Sequence, residues 1–523
     1  MKNKYLFLIS ILVVSAHAWA QETYDNATLA TPQLNGTARY VGMGGAMDAL
    51  GADLSTISSN PAGIGLFRSS QVKVSMGVVG QQDAGDYADA SKSHVSFDQA
   101  GFVYAMRTGK KSFFNLAFNY HKSTDFNHIL TAANSLQNAS QNQLTYAKYE
   151  KELFNPYLSN GLVIANSNRF NQVDYLYANA LMSEVDNNNM LQLYYNNATD
   201  YTFGRNNSGY IGVYDFNISG NINDRVYLGL TMGIHDVHYN TSSTYMESLI
   251  NASDAPVGEV ILQDERSITG TGYDLKLGVI FRPIEENPFR IGISVATPIW
   301  YSLRSENYTT LVNKSSVGRY DDGSTTESFK FKLYTPWKFG LSMGTTIDNM
   351  LALGAVYEYA DYPNMDTRIV DGSEYDWWTD NWYDNSYSDK AMNTHTKRTL
   401  QGVHTLKVGA ELHPDPSLAF RLGYNYVSPM YKDMGMRNVE TDSPYAYYAS
   451  TTDYTNWDCT HRVTCGLGYN IDKFTLDVAY QYSAQNGTFH PFASYLWEKE
   501  GQVNGTKVSN NRYQVLFTLG YRF

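Results

Sequence analysis

Cysteine, charge and long apolar runs are all scarce in this chain. Two cysteines occur in 523 residues, and charged residues make up 17%, against about 25% in ordinary soluble domains. The 39 Lys+Arg fall short of the 51 Asp+Glu, for a net charge of −12. Without a basic surplus there is nothing to displace counterions from phosphates, which excludes a nucleic-acid binder. Beyond the N-terminus no apolar run approaches the ~18 residues of a membrane helix, and mean hydropathy is −0.38, which excludes helical spans. Catalytic signatures are missing as well. There is no Gly-x-Ser-x-Gly, no His-Glu-x-x-His and no spaced triad, so no enzyme is expected. The 11 His are scattered, and His235 and His238 would face opposite sides of a strand, so no haem or metal pair, and no cofactor, is encoded. Cys459 and Cys465, on one strand, would stand about 20 Å apart and read as free thiols. What is abundant is aromatic: 14% of the chain, with 43 Tyr, so disorder is also excluded. A large all-β protein remains.

Residues 1–20 read as a secretory signal. Lys2 and Lys4 supply the positive start, Tyr5 to Val14 the apolar core, and Ala18-Trp19-Ala20 the small-x-small site, with cleavage expected after Ala20. The apolar stretch is too short for a retained anchor, and no Cys follows it for a lipid.

From residue 71 onward the dominant signal is period-two alternation. Phe114, Leu116, Phe118 and Tyr120 alternate with Asn115, Ala117 and Asn119; Val226, Leu228, Leu230 and Met232 alternate with Tyr227, Gly229 and Thr231. The test yields fourteen strands: 71–79, 98–107, 112–121, 208–220, 225–238, 270–282, 289–301, 328–345, 350–361, 402–413, 418–428, 459–470, 474–484 and 511–523. Short links such as Gly109-Lys110-Lys111 and Ile471-Asp472-Lys473 alternate with long polar ones: 122–207, 239–269, 302–327, 362–401, 429–458 and 485–510. An even strand count with short turns on one side is the pattern of an antiparallel outer-membrane barrel of a Gram-negative bacterium. Tyrosines near strand ends supply two interfacial girdles, and Gly, amides and charges form the inward set, including Asp215, Lys276, Lys407, Glu411, Arg421, Arg462 and Asp477. Arg107 and Arg282 are expected in the same inward set. The closing strand, Tyr513 to Phe523, ends on Phe after aromatic alternation. It resembles the signal read by the barrel-assembly machinery, an expected partner during biogenesis.

Residues 21–70 do not alternate. They hold Gly36-Thr37-Ala38-Arg39-Tyr40-Val41-Gly42-Met43-Gly44-Gly45-Ala46, then Asn60-Pro61-Ala62-Gly63-Ile64-Gly65-Leu66-Phe67. The glycine run is no phosphate loop, because no strand precedes it and no Lys follows. On Gly42, Gly44, Gly45, Ala46, Asn60, Pro61, Ala62, Leu66 and Phe67 the chain resembles the FadL/TodX family, the outer-membrane transporters of long-chain fatty acids and aromatic hydrocarbons. The resemblance is specific over 36–79 and topological beyond. It implies a fourteen-stranded barrel over 71–523 with 21–70 as a hatch, or plug, inside the lumen. It also implies a lateral exit near strand three, where Asn119 and His121 are the positions to examine.

The long segment 122–207 differs in texture. Residues 132–153 and 170–185 read as helices, making this a partly helical extracellular loop. Leu158, Leu162, Leu176 and Leu181 supply apolar surface there, either to capture a hydrophobic ligand or to pack the loop on itself. The expected function is passive, hatch-gated uptake of hydrophobic small molecules such as long-chain fatty acids or hydrocarbons, from surroundings of outer-membrane lipid. A different class stays open: an outer-membrane scaffold that holds a protein partner in secretion or surface assembly.

Overall fold

The computed structural model describes residues 22–82, 84–88, 90–185, 190–348, 350–378, 380–495 and 503–523; the expected signal and its cleavage site lie outside them. Alternation turns the apolar set of each strand outward. In β1 (Gln71–Gln82), Met76 is 50% exposed while Lys73 is 5% and Ser75 fully buried. That polarity is inverted for water and correct for hydrocarbon around a polar interior.

Fourteen antiparallel strands close into one ring. After β1 come β2 (Ser93–Arg107), β3 (Phe113–Asp125, continued by His128–Ser135), β4 (Asn197–Ile222), β5 (Val226–Ile250) and β6 (Pro256–Phe281). The next four strands are each built in two parts: β7 (Arg290–Ala296, Trp300–Asn313), β8 (Asp322–Tyr334, Lys338–Ile347), β9 (Leu351–Ala360, Asp366–Asp376) and β10 (Asn381–Ser388, Val403–Asp415). Then follow β11 (Leu418–Val427), β12 (Tyr454–Ile471), β13 (Phe474–His490) and β14 (Thr506–Ser509, Asn511–Arg522). β14 pairs with β1 from Gln71↔Arg522 to Gln82↔Asn511, which leaves no free edge.

Two sequence expectations change here. The strands expected at 289–301 and 328–345 are each interrupted, at Thr297-Pro298-Ile299 and Thr335-Pro336-Trp337. Proline has no N–H to give the ladder. Strands also outrun their alternating stretches: β4, β5 and β6 have 26, 25 and 26 residues, against about 10 needed to span. Their distal parts stand beyond the apolar band at the long-loop end.

The N-terminal segment carries short helices α1 (Thr23–Ala30), α2 (Ala38–Gly42) and α3 (Thr56–Ser59), then a tight turn over Pro61–Leu66. In the long loop, 132–135 belong to the continuation of β3 rather than to a helix, because they pair with Phe203 to Asp200. The helix α4 starts only at Gln141 (Gln141–Glu150), capped by Ser140. The second expected helix is α5 (Gln172–Tyr177), opened by an Asn171/Asp174 capping box and closed by one π-turn. These elements pack with the distal β4, β5, β6 and β13 into one core that includes Tyr177, Tyr201, Tyr245 and Phe489. Cys459 and Cys465 are free thiols.

Within this core the Glu247 carboxylate accepts from Gln141 N (2.5 Å), Ser140 Oγ (2.6 Å) and Tyr245 Oη (2.5 Å), so it anchors the start of α4. Burial outweighs these donors and pushes its carboxyl from 4.5 up to about 7. Folded loop domain therefore holds a proton that unfolded chain has released. This contribution is complete below about pH 4.5 and lost as pH rises through about 7, a change of up to about 3 kcal/mol. Limited proteolysis at the α4 segment should accelerate from about pH 5 to about pH 8. In Glu247→Gln the two rates should coincide.

Candidate transport lumen

The N-terminal segment lies against the inward faces of strands all around the ring. Its two motifs meet glycines in the wall. Met43 and Gly44 run across Gly409 of β10 and Gly423 of β11: a Cβ on Gly409 would sit 2.3 Å from Met43 O, and one on Gly423 2.2 Å from Gly44 N. Ala46 O would be 1.9 Å from a Cβ on Gly354 of β9. On the other side Asn60 and Pro61 cross Gly278 of β6 and Gly229 of β5, where an added Cβ would stand 2.0 Å from Asn60 Oδ1 and 2.3 Å from Pro61 C. Backbone thus rests directly on backbone. Asn60 also caps its own turn by accepting from Ala62 N (3.2 Å). Leu66 packs with Ala62, Tyr227 and Ile280, and Phe67 with Leu54, Ile57, Ile64, Val103 and Ala117.

Polar contacts complete the seat. The Arg39 guanidinium donates in a fork to Glu411 (2.8 and 2.7 Å), which also receives Arg421 (2.6 Å); Arg421 reaches on to Asp477 (2.7 Å). Opposite, Ser58 donates to Asp215 (2.6 Å), itself paired with Lys276 (3.1 Å), and Lys276 bridges to Asp274 (2.9 Å). Asn115 Nδ2 donates to Ile64 O (2.7 Å), Thr464 Oγ1 donates to Gly42 O (3.1 Å), and Ala38 N donates to Thr518 Oγ1 (2.7 Å). Buried pairs of this kind contribute little net stability when intact, but removing one partner leaves a costly buried charge. They fix position. Of the expected inward set, Arg107 and Arg282 do not belong here: they bond carbonyls of the short turns, at Gly109, Lys110 and Asn287.

Toward the long-loop end the segment leaves a cavity of about 510 Å³. An apolar cluster of Leu29, Phe126, Ile211, Val213, Tyr239 and Tyr301 lines it together with charged residues that include Asp274, Lys276, Glu358, Lys407, Arg462 and Arg512. The cavity reaches Gln99, His121 and Asp125, where the wall parts. Asn119 and His121 themselves are paired on both flanks, Asn119 with Gly101 and Asp215 and His121 with Gln99 and Val213. Gln99↔His121 is the last β2–β3 rung. Beyond it β2 stays with β1 and β3 with β4, and Asp98 is bulged out of the β1 ladder between Ser75 and Met76. Side chains bridge the parting: Lys122 Nζ to Ser96 Oγ (2.8 Å), His94 Nε2 with Asp125 Oδ2 (2.8 Å), and Asn35 Nδ2 to Asp98 Oδ1 (2.9 Å).

No protein-family model matches the chain, and no curated protein does. Among solved structures it is similar to a Pseudomonas aeruginosa FadL homologue, at 11% identity, with 94% of this chain and 99% of that one covered and a TM-score of 0.51. The chain has a FadL-type transporter fold. A likeness to the Ralstonia pickettii toluene transporter TbuX, at 11% identity and TM-score 0.47, covers 94% of this chain and 98% of that one.

On this FadL-type fold the nine N-terminal motif residues come together with the wall, whereas the loop leucines are divided. Leu176 and Leu181 are buried in the loop core; Leu158 packs against that core and is partly exposed, as is Leu162. The wall glycines and Arg39 escaped sequence reasoning. Their signal was present as Gly recurring at inward positions, but it read as a small-residue face rather than as a seat. Gly44 has φ +63°, and a side chain there would come within 2.8 Å of Tyr424 N. Gly44→Val should therefore lift the 42–50 stretch at a cost of about 1–2 kcal/mol from the dihedral alone. Hydrogen exchange should rise over those residues and stay unchanged in β1 and β14.

Proposed function

We propose that the protein is an outer-membrane channel for passive uptake of hydrophobic small molecules, with residues 21–70 as its hatch. The observation that carries this reading is the seat itself. A fourteen-stranded ring is wider than the eight-stranded barrels that side chains alone fill, and here the space is taken by a segment touching wall from β1 to β14. A water-filled pore does not favour greasy solutes; a half-apolar cavity above a removable plug does. Ligand enters from the long-loop end, rests against Leu29, Ile211, Val213 and Tyr301, and leaves through the β2–β3 parting once Asn35 withdraws from Asp98 and the Lys122 carbonyl. The signal at 1–20, its cleavage after Ala20 and transport of fatty acids in particular belong to the same proposal.

Uptake of labelled oleate and of a labelled aromatic hydrocarbon, with and without the gene, tests the function. At least one should enter faster with the gene; unchanged uptake of both, with a stoichiometric protein partner on affinity capture, would favour the scaffold instead. Deletion of 22–60 tests the hatch. Interstrand hydrogen bonds should keep the barrel folded and heat-modifiable, while single-channel conductance and sensitivity to polar antibiotics rise. A deletion that assembles and conducts no better than the intact chain would remove the gate from the mechanism.

A further inference from the structure

The wall has a second interruption, far around the ring from the β2–β3 parting. At one height, three neighbouring strands break beside a proline: β7 at Pro298, β8 at Pro336 and β9 at Pro363. Between β7 and β8 the break is sewn shut, since Thr335 N donates to Ile299 O (3.2 Å) and Ile299 N to Thr335 Oγ1 (2.8 Å). Between β8 and β9 the ladder stops at Tyr334↔Asp366 and resumes only at Lys338↔Ala360, so 335–337 face the looped-out 361–365 across an eyelet. The lower part of β9 has 10 residues, about the length that crosses the apolar band. The eyelet therefore sits where that band ends on the long-loop side. Outside it, Trp337 and Phe339 are about half exposed, the residue types suited to an interface. Inside it lies an apolar cluster of Ala360, Tyr362, Met365, Leu400 and Val403, filled by Ala27 and Ala30 of α1. Tyr362 stands between, buried, lining the cavity, with its hydroxyl donating to Ala30 O (3.3 Å).

We propose that this eyelet is a lateral inlet through which apolar solutes dissolved in the outer leaflet reach the cavity, with Tyr362 as its shutter and the α1 cluster as the first binding site. It rests on the channel reading above and adds a source for the ligand. Hydrocarbon-like solutes concentrate in lipid rather than in water, so an aperture at the rim of the apolar band takes them without a return to solvent. At the eyelet itself Pro336 and Pro363 lack the N–H groups that could sew β8 to β9.

The test is a cysteine at Val403, in the cluster, in chains with Cys459 and Cys465 replaced by Ser. Proteoliposomes receive either a lipid-dissolved N-alkyl maleimide or a charged, water-borne one. Tyr362→Ala should raise labelling by the lipid-borne reagent about tenfold, the effect of a barrier about 1.4 kcal/mol lower, and leave the water-borne rate unchanged. Tyr362→Trp should slow the lipid-borne reaction, so the idea does not hang on one variant's folding. Equal rates in all three backgrounds, or parallel acceleration by both reagents, would overturn the inlet. Because labelling needs no transport, an inlet that labels as expected in a protein that carries no hydrophobic solute would refute the channel reading alone.

Discussion

The β1–β14 pairing is the constraint on which everything else hangs. In hydrocarbon each unpaired N–H or C=O costs several kcal/mol, so the sheet has to return on itself, and here it does so over twelve rungs' length of β1, from Gln71 to Gln82. Closure fixes the circumference, and fourteen strands fix an interior too wide for side chains alone. The chain answers by spending its own N-terminal residues as filling. That filling leads directly into β1 at Gln71.

Filling a ring with backbone creates a second demand, for close approach without voids. It is met by removing Cβ atoms from the wall under the two motifs, at Gly229, Gly278, Gly354, Gly409 and Gly423. The charged side chains of the wall then have partners on the segment: Glu411 with Arg39, Asp215 with Ser58, and Lys73 with Asp53. The result is a seat specified both by short polar contacts and by apolar packing, as of Leu66 on Tyr227 and Ile280 and of Phe67 on Val103 and Ala117. The buried ion pairs among these contacts position the segment while adding little net free energy of their own.

The barrel itself was legible because lipid and lumen impose opposite demands on alternate residues, as in Val72, Val74, Met76 and Val78 against Lys73 and Ser75. Where strands leave the lipid, that contrast vanishes. Asn240-Thr241-Ser242-Ser243-Thr244 lies within β5, yet nothing in it separates two faces, so the distal sheet was invisible. Alternation is equally blind to interruptions, because Pro298 and Pro336 sit inside runs that keep their pattern on both sides. For 132–135, helix-forming Ala132 and Ala133 are overridden by pairing with the neighbouring β4. At the site, the motif residues were legible as unusual, but Arg39 and Glu411 lie 372 positions apart, and no local pattern predicts a fork across that distance.

The same physics explains why the irregular features gather at one level. Within the apolar band the ladder tolerates no gap facing lipid, and from Leu351 to Ala360 β9 pairs without interruption on both flanks. Above the band, water and headgroups satisfy backbone groups, so bulges, prolines and helix α6 (Lys390–Thr399) are admitted there. At this level α1 and residues 31–36 line the cavity, while Met43, Gly44, Ala46, Asn60 and Pro61 rest on the wall glycines. Openings in the wall and space in the lumen therefore coincide in height. The cavity faces breaks in the barrel wall on one side and, on the other, the stretch from Gly42 to Phe67 seated on the wall glycines.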